Sequence, residues 1–314
     1  MAGKRAQIIV LANQKGGCGK STTAVNLAAG FAKLGYSTCL VDLDSQCNAT
    51  GTFGIVPEEL KQEGRFTIAD AFIANKPGTQ IEITFGKRFE GRLSLLPGHR
   101  ALDQVQAQLE ADLKHRVIAD GVSPMEEDDH RSENRQRLKK SLSPLVDRHD
   151  FIVIDTPPRL GFELTAALLA ADWYLIPVFP SLYDVDGLTR LTTTVKKVRQ
   201  RANPKLELLG VVLGNFKGNT NLHQDVRATL EASFPDSMCK TVINYSVRHG
   251  EATFQRKTIF EHAPGHSSAN QFEQLTKELL AKIQPDVRTK TAPIETVAMT
   301  HEPEVEAVEV AANE

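Results

Sequence analysis

The segment Lys15-Gly16-Gly17-Cys18-Gly19-Lys20-Ser21-Thr22 puts three glycines, two lysines and two hydroxyls in one short stretch. That mixture suits phosphate chemistry. Glycine has no Cβ, so successive backbone N–H groups can turn inward around an anion. A helix starting near Lys20 adds the positive end of its dipole and its unpaired N–H groups. Lys20 is then placed to reach the outer phosphates of a nucleotide, and the Ser21 hydroxyl to hold Mg²⁺. The segment departs from the common GxxxxGK[ST] loop at its first glycine and carries an added lysine, Lys15. The plain alternative is a glycine-rich turn with an incidental lysine. A strand before the loop and a helix after it are the setting a phosphate loop needs, and the flanking sequence supplies both.

Two other segments bring carboxylates. Val41-Asp42-Leu43-Asp44-Ser45-Gln46 follows an apolar run, and Phe151-Ile152-Val153-Ile154 leads into Asp155-Thr156-Pro157-Pro158. Ligands of open α/β sheets bind at the carboxyl ends of strands, so all three aspartates are expected on the phosphate-loop edge. Asp155 at a strand end is expected to help hold Mg²⁺ through water. Asp42 has two readings: a ligand-facing acid, or a group that orients neighbouring backbone.

The elements that must position these residues are legible as periodicity. Short apolar strands are predicted at Gln7–Ala12, Ser37–Leu43, Leu93–Leu96, Phe151–Ile154, Trp173–Val178, Leu206–Leu213 and Thr241–Ile243. Helices are predicted at Ser21–Leu34, Ala101–Leu113, Glu163–Ala171, Leu188–Arg201, Leu222–Ser233 and Ala269–Ile283. Continuous strands alternating with helices predict an α/β fold with a doubly wound, mostly parallel sheet flanked by helices. The expected organisation is one phosphate-loop (P-loop) nucleotide-binding domain over residues 1–284 and an acidic disordered tail over 285–314. The charge-dense stretch 114–140 reads as an insertion, a solvated loop running into a surface helix.

The chain has 314 residues, 41% hydrophobic and 24% charged, with a formal net charge of −2, which fits an ordinary globular protein. No apolar run approaches the ~20 residues of a membrane span, and no signal peptide is read, so a cytoplasmic protein is expected. Cys18, Cys39, Cys47 and Cys239 have no metal-ligand spacing. The charge is uneven. Leu188–Lys205 holds Arg190, Lys196, Lys197, Arg199, Arg201 and Lys205 and no acid. Within it, Arg190, Lys197 and Arg201 form a helical stripe apart from Leu188, Leu191, Val195 and Val198. The stripe is either a solvated face or a phosphate-contacting one. Lys217 and Arg248 are further cationic candidates.

KGGCGKSTT, VDLDSQCNAT, VIDTPP and GLTRL…VRQRANPKLELLGVVL together resemble the ParA/Soj branch of the deviant-Walker-A ATPases. The resemblance covers roughly residues 6–284. It implies a P-loop NTPase fold, ATP and Mg²⁺ as ligands, and an ATP-bound homodimer. It also implies nonspecific binding to double-stranded DNA, and a ParB-like or other cargo-adaptor protein that stimulates hydrolysis and release. A nucleoid-associated protein for plasmid or chromosome segregation follows. Lys15 matches the lysine that reaches across the dimer, Lys20 and Ser21 the loop lysine and Mg²⁺ ligand. Asp44 matches the acid that positions the attacking water near the metal, and Asp155 the Walker B acid. Nucleotide contacts run from Lys15 through Gly16, Gly17, Cys18, Gly19, Lys20 and Ser21 to Thr22. Where the family has Ile-Pro near the adenine, this chain has Ile243-Asn244, and Asn244 is the expected base contact. A MinD-like membrane-cycling ATPase needs a basic amphipathic C-terminal helix, but the sequence ends acidic, in EPEVEAVEVAANE. A positioning ATPase for another cargo would share the same engine.

Overall fold

The computed structural model describes residues 5–75, 83–84, 88–120, 123–181 and 184–283. The expected tail at 285–314 lies outside the described residues. The chain runs β1 (Gln7–Leu11), α1 (Lys20–Lys33), β2 (Thr38–Asp42), α2 (Asn48–Gly51), α3 (Pro57–Gln62), α4 (Ile68–Ala74) and β3 (Ile83–Thr84). It continues through β4 (Leu93–Leu96), α5 (Leu102–Asp120), α6 (Pro124–Val146), β5 (Phe151–Asp155), α7 (Phe162–Ala170), β6 (Trp173–Val178) and α8 (Asp184–Arg201). It closes with β7 (Glu207–Leu213), α9 (Asn221–Ser233), α10 (Arg248–Phe254), α11 (Ile259–His262) and α12 (Ser267–Ile283).

Six parallel strands lie in the order β4-β2-β5-β1-β6-β7, and β3 adds antiparallel to β4. The predicted doubly wound, mostly parallel sheet is therefore present. Its central strands are buried on both faces, which is why they read as continuous apolar runs rather than alternating ones. Alternate residues still serve opposite layers. Ile8, Val10, Cys39 and Val41 pack with α4 to α9, whereas Ile9, Leu11 and Leu40 pack with α1 and α12. Phe151 stacks on Phe31 at 4.0 Å between ring centroids, pinning α1 to β5. At Gly30 a Cβ would stand 2.3 Å from Thr276 Oγ1, so α1 and α12 cross there in near backbone contact.

Two expectations change. Residues 114–140 are not a loop entering a surface helix. α5 runs on to Asp120, and α6 begins at Pro124 behind a capping box in which Ser123 and Glu126 exchange hydrogen bonds. Only 121–122 fall outside the described residues. α6 has a charged outer face, but Leu138, Leu142 and Leu145 are buried in the layer with α4 and α7. Arg137 donates to the carbonyls of Phe72 and Ile73 and so ends α4. Second, Thr241–Ile243 forms no strand. Residues 238–244 run beside β7 and the loop after it, with isolated bridges from Met238 to Val211 and from Asn244 to Phe216. The pairing breaks between them, so no ladder propagates.

Leu142→Ala should cost about 2–5 kcal/mol of stability in urea unfolding, because Leu142 is fully buried. The exposed Arg135→Ala should stay within about 0.5 kcal/mol. Equal, small effects would mean that α6 is a detachable surface insertion.

Candidate functional site

The loop after β1 is held from both sides. Asn13 donates from Nδ2 to the Pro177 carbonyl at 2.7 Å and accepts the Lys15 N–H at 3.0 Å, so the loop leaves the sheet at a set angle. Gly17 and Gly19 have φ of 70° and 83°, in the left-handed region. Gly19 has a second reason to lack a side chain: a Cβ would stand 2.7 Å from the Phe179 ring. α1 then starts at Lys20, with the Thr23 N–H donating to the Gly19 carbonyl. Lys20 is only 6% exposed. Its ammonium donates back to the Lys15 carbonyl at 2.8 Å and lies 3.8 Å from Cys18 Sγ. The Cys18 thiol donates to the same carbonyl. The Lys15 ammonium donates to the Ser181 hydroxyl.

Strand register brings the acids together. Asp42 at the end of β2 stands opposite Asp155 at the end of β5. Asp42 is fully tied: Oδ1 accepts the Asp44 N–H at 3.1 Å, and Oδ2 accepts the Thr50 N–H at 2.8 Å and the Thr50 hydroxyl at 2.7 Å. Of its two readings, the geometry supports the one that orients backbone. Burial still raises its pKa to about 6, against the pull of the Thr50 and Asp44 hydrogen bonds. Asp155 is fully buried, and both its carboxylate oxygens lack a hydrogen-bond partner. Burial pushes its pKa well up, the charges of Asp42 and Asp44 add to that, and the nearby Ser21 hydroxyl and Lys20 ammonium oppose it. Asp44 Oδ1 accepts the Gln46 N–H at 3.0 Å.

An orphaned buried carboxylate beside Ser21 fits a divalent cation. Among the described residues no three His, Cys, Asp or Glu side chains form a metal cage. Mg²⁺ is commonly held by one or two protein oxygens plus nucleotide phosphates and water, so the sparse donor set also fits.

Above the loop is a cavity of about 370 Å³ lined by Gly16, Gly17, Gly19, Lys20, Ser21, Thr22, Asp44, Gln46, Asn48, Phe179 and His249, among others. A smaller cavity of about 190 Å³ adjoins it, between Pro177, Phe179, Gly214, Asn215, Ile243, Ser246 and Phe272. Thr22, Phe179 and His249 line both. Neither cavity is lined by Asn244, which is exposed and donates its N–H to Gln271; its neighbours Ile243 and Ser246 face the smaller one. Lys15 lines neither. Nothing in the sequence marks His249 or Phe179. Both ring nitrogens of His249 are buried without partners, and burial lowers its pKa.

The cationic candidates do not share one face. Leu188, Leu191, Val195 and Val198 bury α8 in the α4–α9 layer, leaving Arg190, Lys197 and Arg201 exposed. Arg248 belongs to α10, whose Ala252 packs in the other layer, and it pairs with Glu251 at 2.7 Å. The Lys217 ammonium sits 4.3 Å from the centre of the Tyr245 ring. Among the described residues no helix is long and apolar enough to cross a membrane.

The AAA domain family matches residues 6–208 of this chain. The chain is 33% identical over 276 residues to the chromosome-partitioning ATPase Soj of Thermus thermophilus, spanning 88% of this chain and 96% of that protein. McdA from Cyanothece, as an alanine variant in complex with ATP, superposes with a TM-score of 0.72 at 21% identity, covering 89% of this chain and 98% of that one. Cobyrinic acid a,c-diamide synthase from Mycobacterium smegmatis, with an ATP analogue and magnesium, gives 0.69 at 22% identity, covering 89% and 96%. At such identities the two structures establish the fold alone.

The raised acids set a pH signature. A carboxyl whose folded-state pKa lies above its unfolded value keeps a proton the unfolded chain has lost, so it lowers stability as pH rises between the two values. Asp155→Asn removes that term. Its stability gain over wild type in the nucleotide-free protein should therefore grow from pH 5 to pH 7, by up to ~1.4 kcal/mol per pH unit. Paired urea unfolding series check this, and a constant or shrinking gain would contradict it.

Proposed function

We propose that this chain, which belongs to the ParA/Soj-type ATPases, is a partitioning or positioning ATPase whose ATP-bound homodimer holds nonspecific double-stranded DNA. The observation that carries the proposal is the unpaired Asp155 carboxylate buried beside a glycine loop whose own lysine is turned inward. Both ends of that arrangement are incomplete without a phosphate–cation ligand.

ATP phosphates take the N–H groups of the loop from Gly16 to Thr22, and the Lys20 ammonium exchanges the Lys15 carbonyl for phosphate oxygen. Ser21 and Asp155, with Asp44 nearby, would hold Mg²⁺, whose charge would offset that building on the transferring phosphoryl group. Asp44 lines the cavity with one oxygen fixed by Gln46, and it orients the attacking water. Lys15 leaves Ser181 to meet the phosphates of the second subunit. A lysine supplied in trans makes hydrolysis conditional on dimerisation, since phosphoryl transfer depends on positioned positive charge. The base sits toward the smaller cavity between Phe179 and Ile243. The α8 stripe contacts DNA phosphates, and a ParB-like or other cargo adaptor stimulates turnover and release. A cytoplasmic, nucleoid-associated protein follows from that cycle. Binding is indifferent to DNA sequence, because contacts made to phosphates carry no sequence information.

Asp44→Ala should keep ATP affinity and accumulate as an ATP-bound dimer with turnover lost, because the phosphate cradle is intact. Light scattering with a single-turnover assay checks this. A nucleotide-bound monomer would contradict the role given to Asp44.

Replacing Arg190, Lys197 and Arg201 together by alanine should leave ATP binding intact and weaken duplex binding. The slope of log K against log salt should flatten by ~0.9 per lost contact, about 3 in all, or more if both subunits contribute. An unchanged slope would place the DNA face elsewhere, with Lys217 and Arg248 next.

A further inference from the structure

The strongest unassigned charge pattern pairs α8 with the end of the chain. Arg190, Lys196, Lys197, Arg199 and Arg201 are exposed, and none of them enters the ion pairs seen among the described residues. Arg199 and Arg201 stand in the last turn of α8, at the negative end of its dipole. Beside this turn is a recess of about 560 Å³ lined by the apolar Tyr174, Val195 and Pro204 and by Thr192, Lys196, Arg199 and Gln200. A strand with apolar groups on one side and carboxylates on the other would match both its apolar and its cationic lining.

The chain contains such a segment. Residues 285–314 carry Asp286, Glu295, Glu302, Glu304, Glu306, Glu309 and Glu314 against Arg288 and Lys290, a net −5. In Glu302-Pro303-Glu304-Val305-Glu306-Ala307 acid and apolar residues alternate strictly. An extended chain with that period shows all its carboxylates on one face and its apolar groups on the other.

The tail also starts in the right place. α12 ends at Ile283, and Lys282 Nζ donates to the Leu209 carbonyl near the start of β7. β7 is the edge strand of the sheet, and its neighbour Leu208 pairs with Tyr174, which lines the recess. Residues 237–243 flank β7 only from Val211 onward, so near Leu209 the tail has to round β7 to pass from the α12 face to the α8 face. From 283 to 302 there are 19 steps, up to ~60 Å when extended, several times the ~10 Å between packed layers.

We propose that the acidic segment 302–307 docks in the α8 recess of its own chain, pairing with Lys196 and Arg199, and so lowers the positive potential that draws polyanions to the stripe on the neighbouring flank of the helix. The docking itself needs only the recess and the tail; the effect on polyanions rests on the DNA-binding reading above. Exposed pairs are weak and screened by salt, so the tail sets a threshold rather than a block. A strong polyanion with many contacts overcomes it, whereas a brief encounter does not.

Two measurements on the full chain separate the claims. Zero-length carbodiimide coupling, read by peptide mass spectrometry on the monomer band, should join Glu302, Glu304 or Glu306 to Lys196 or Lys197. The Arg199→Gln variant should reduce those links. Tail carboxylates that couple only elsewhere, or only between two copies, would overturn the docking. In the second measurement, Glu302, Glu304 and Glu306 are all changed to glutamine. ATP affinity should not move, and duplex affinity should rise about tenfold at low salt with the gain vanishing at high salt. Links present with no gain in affinity would overturn the effect on polyanions. Links present in a wild type that binds no duplex at all would sustain the docking and overturn the DNA-binding reading instead.

Discussion

A buried carboxylate with nothing to bond to is the constraint around which the rest of this molecule is arranged. Burying an unpaired charge costs several kcal/mol, and proteins respond by pairing it, protonating it or binding a cation. At the ends of β2 and β5 two aspartates face each other in register, and the fold treats them differently. Asp42 is answered by three donors, while both oxygens of Asp155 are left open. The phosphate loop opposite has the reverse character: a buried lysine ammonium that makes do with a backbone carbonyl and a thiol sulfur. Each half lacks what a nucleotide phosphate and its cation would supply.

Asp42 shows how much structure can hang on one satisfied acid. Its hydrogen bonds fix Asp44 and the start of α2 through Thr50. The Thr50 hydroxyl in turn accepts the Gly98 N–H at 2.9 Å, tying in the loop after β4. Gly98 comes so close that a Cβ there would stand 3.0 Å from the Asp42 carboxyl carbon. Asp44 thus projects into the cavity from a loop braced on both sides. Its bracing depends on the acid two residues earlier, and a lone reading of Asp44 misses that.

The sheet, the phosphate loop and the strand-end aspartates were legible because each has a local signature: apolar runs, clustered glycines, and acids just past a buried strand. What was illegible depends on contacts between distant segments. α6 carries Leu138, Leu142 and Leu145 in a sequence otherwise dominated by charge, so its buried face is masked by its exposed one. His249 and Phe179 reach the site from elements distant in sequence and carry no motif. The segment at Thr241–Ile243 has strand-like composition, yet the isolated bridges lie on either side of it, at Met238 and Asn244, and no ladder forms through it. The expected base contact at Asn244 shifts for the same reason: two neighbours face the cavity while Asn244 itself points its backbone N–H at Gln271.

The most direct test of this account is a calorimetric titration of ATP into the wild-type chain and into Asp155→Asn, each with Mg²⁺ and with a chelator. If the open carboxylate exists to meet a cation carried with the nucleotide, the wild type should bind ATP at least tenfold more tightly with Mg²⁺. The variant should then lose most of that difference while keeping its chelator-side affinity. Equal Mg²⁺ dependence in the two proteins would show that Asp155 does not face the cation, and the central claim would fall.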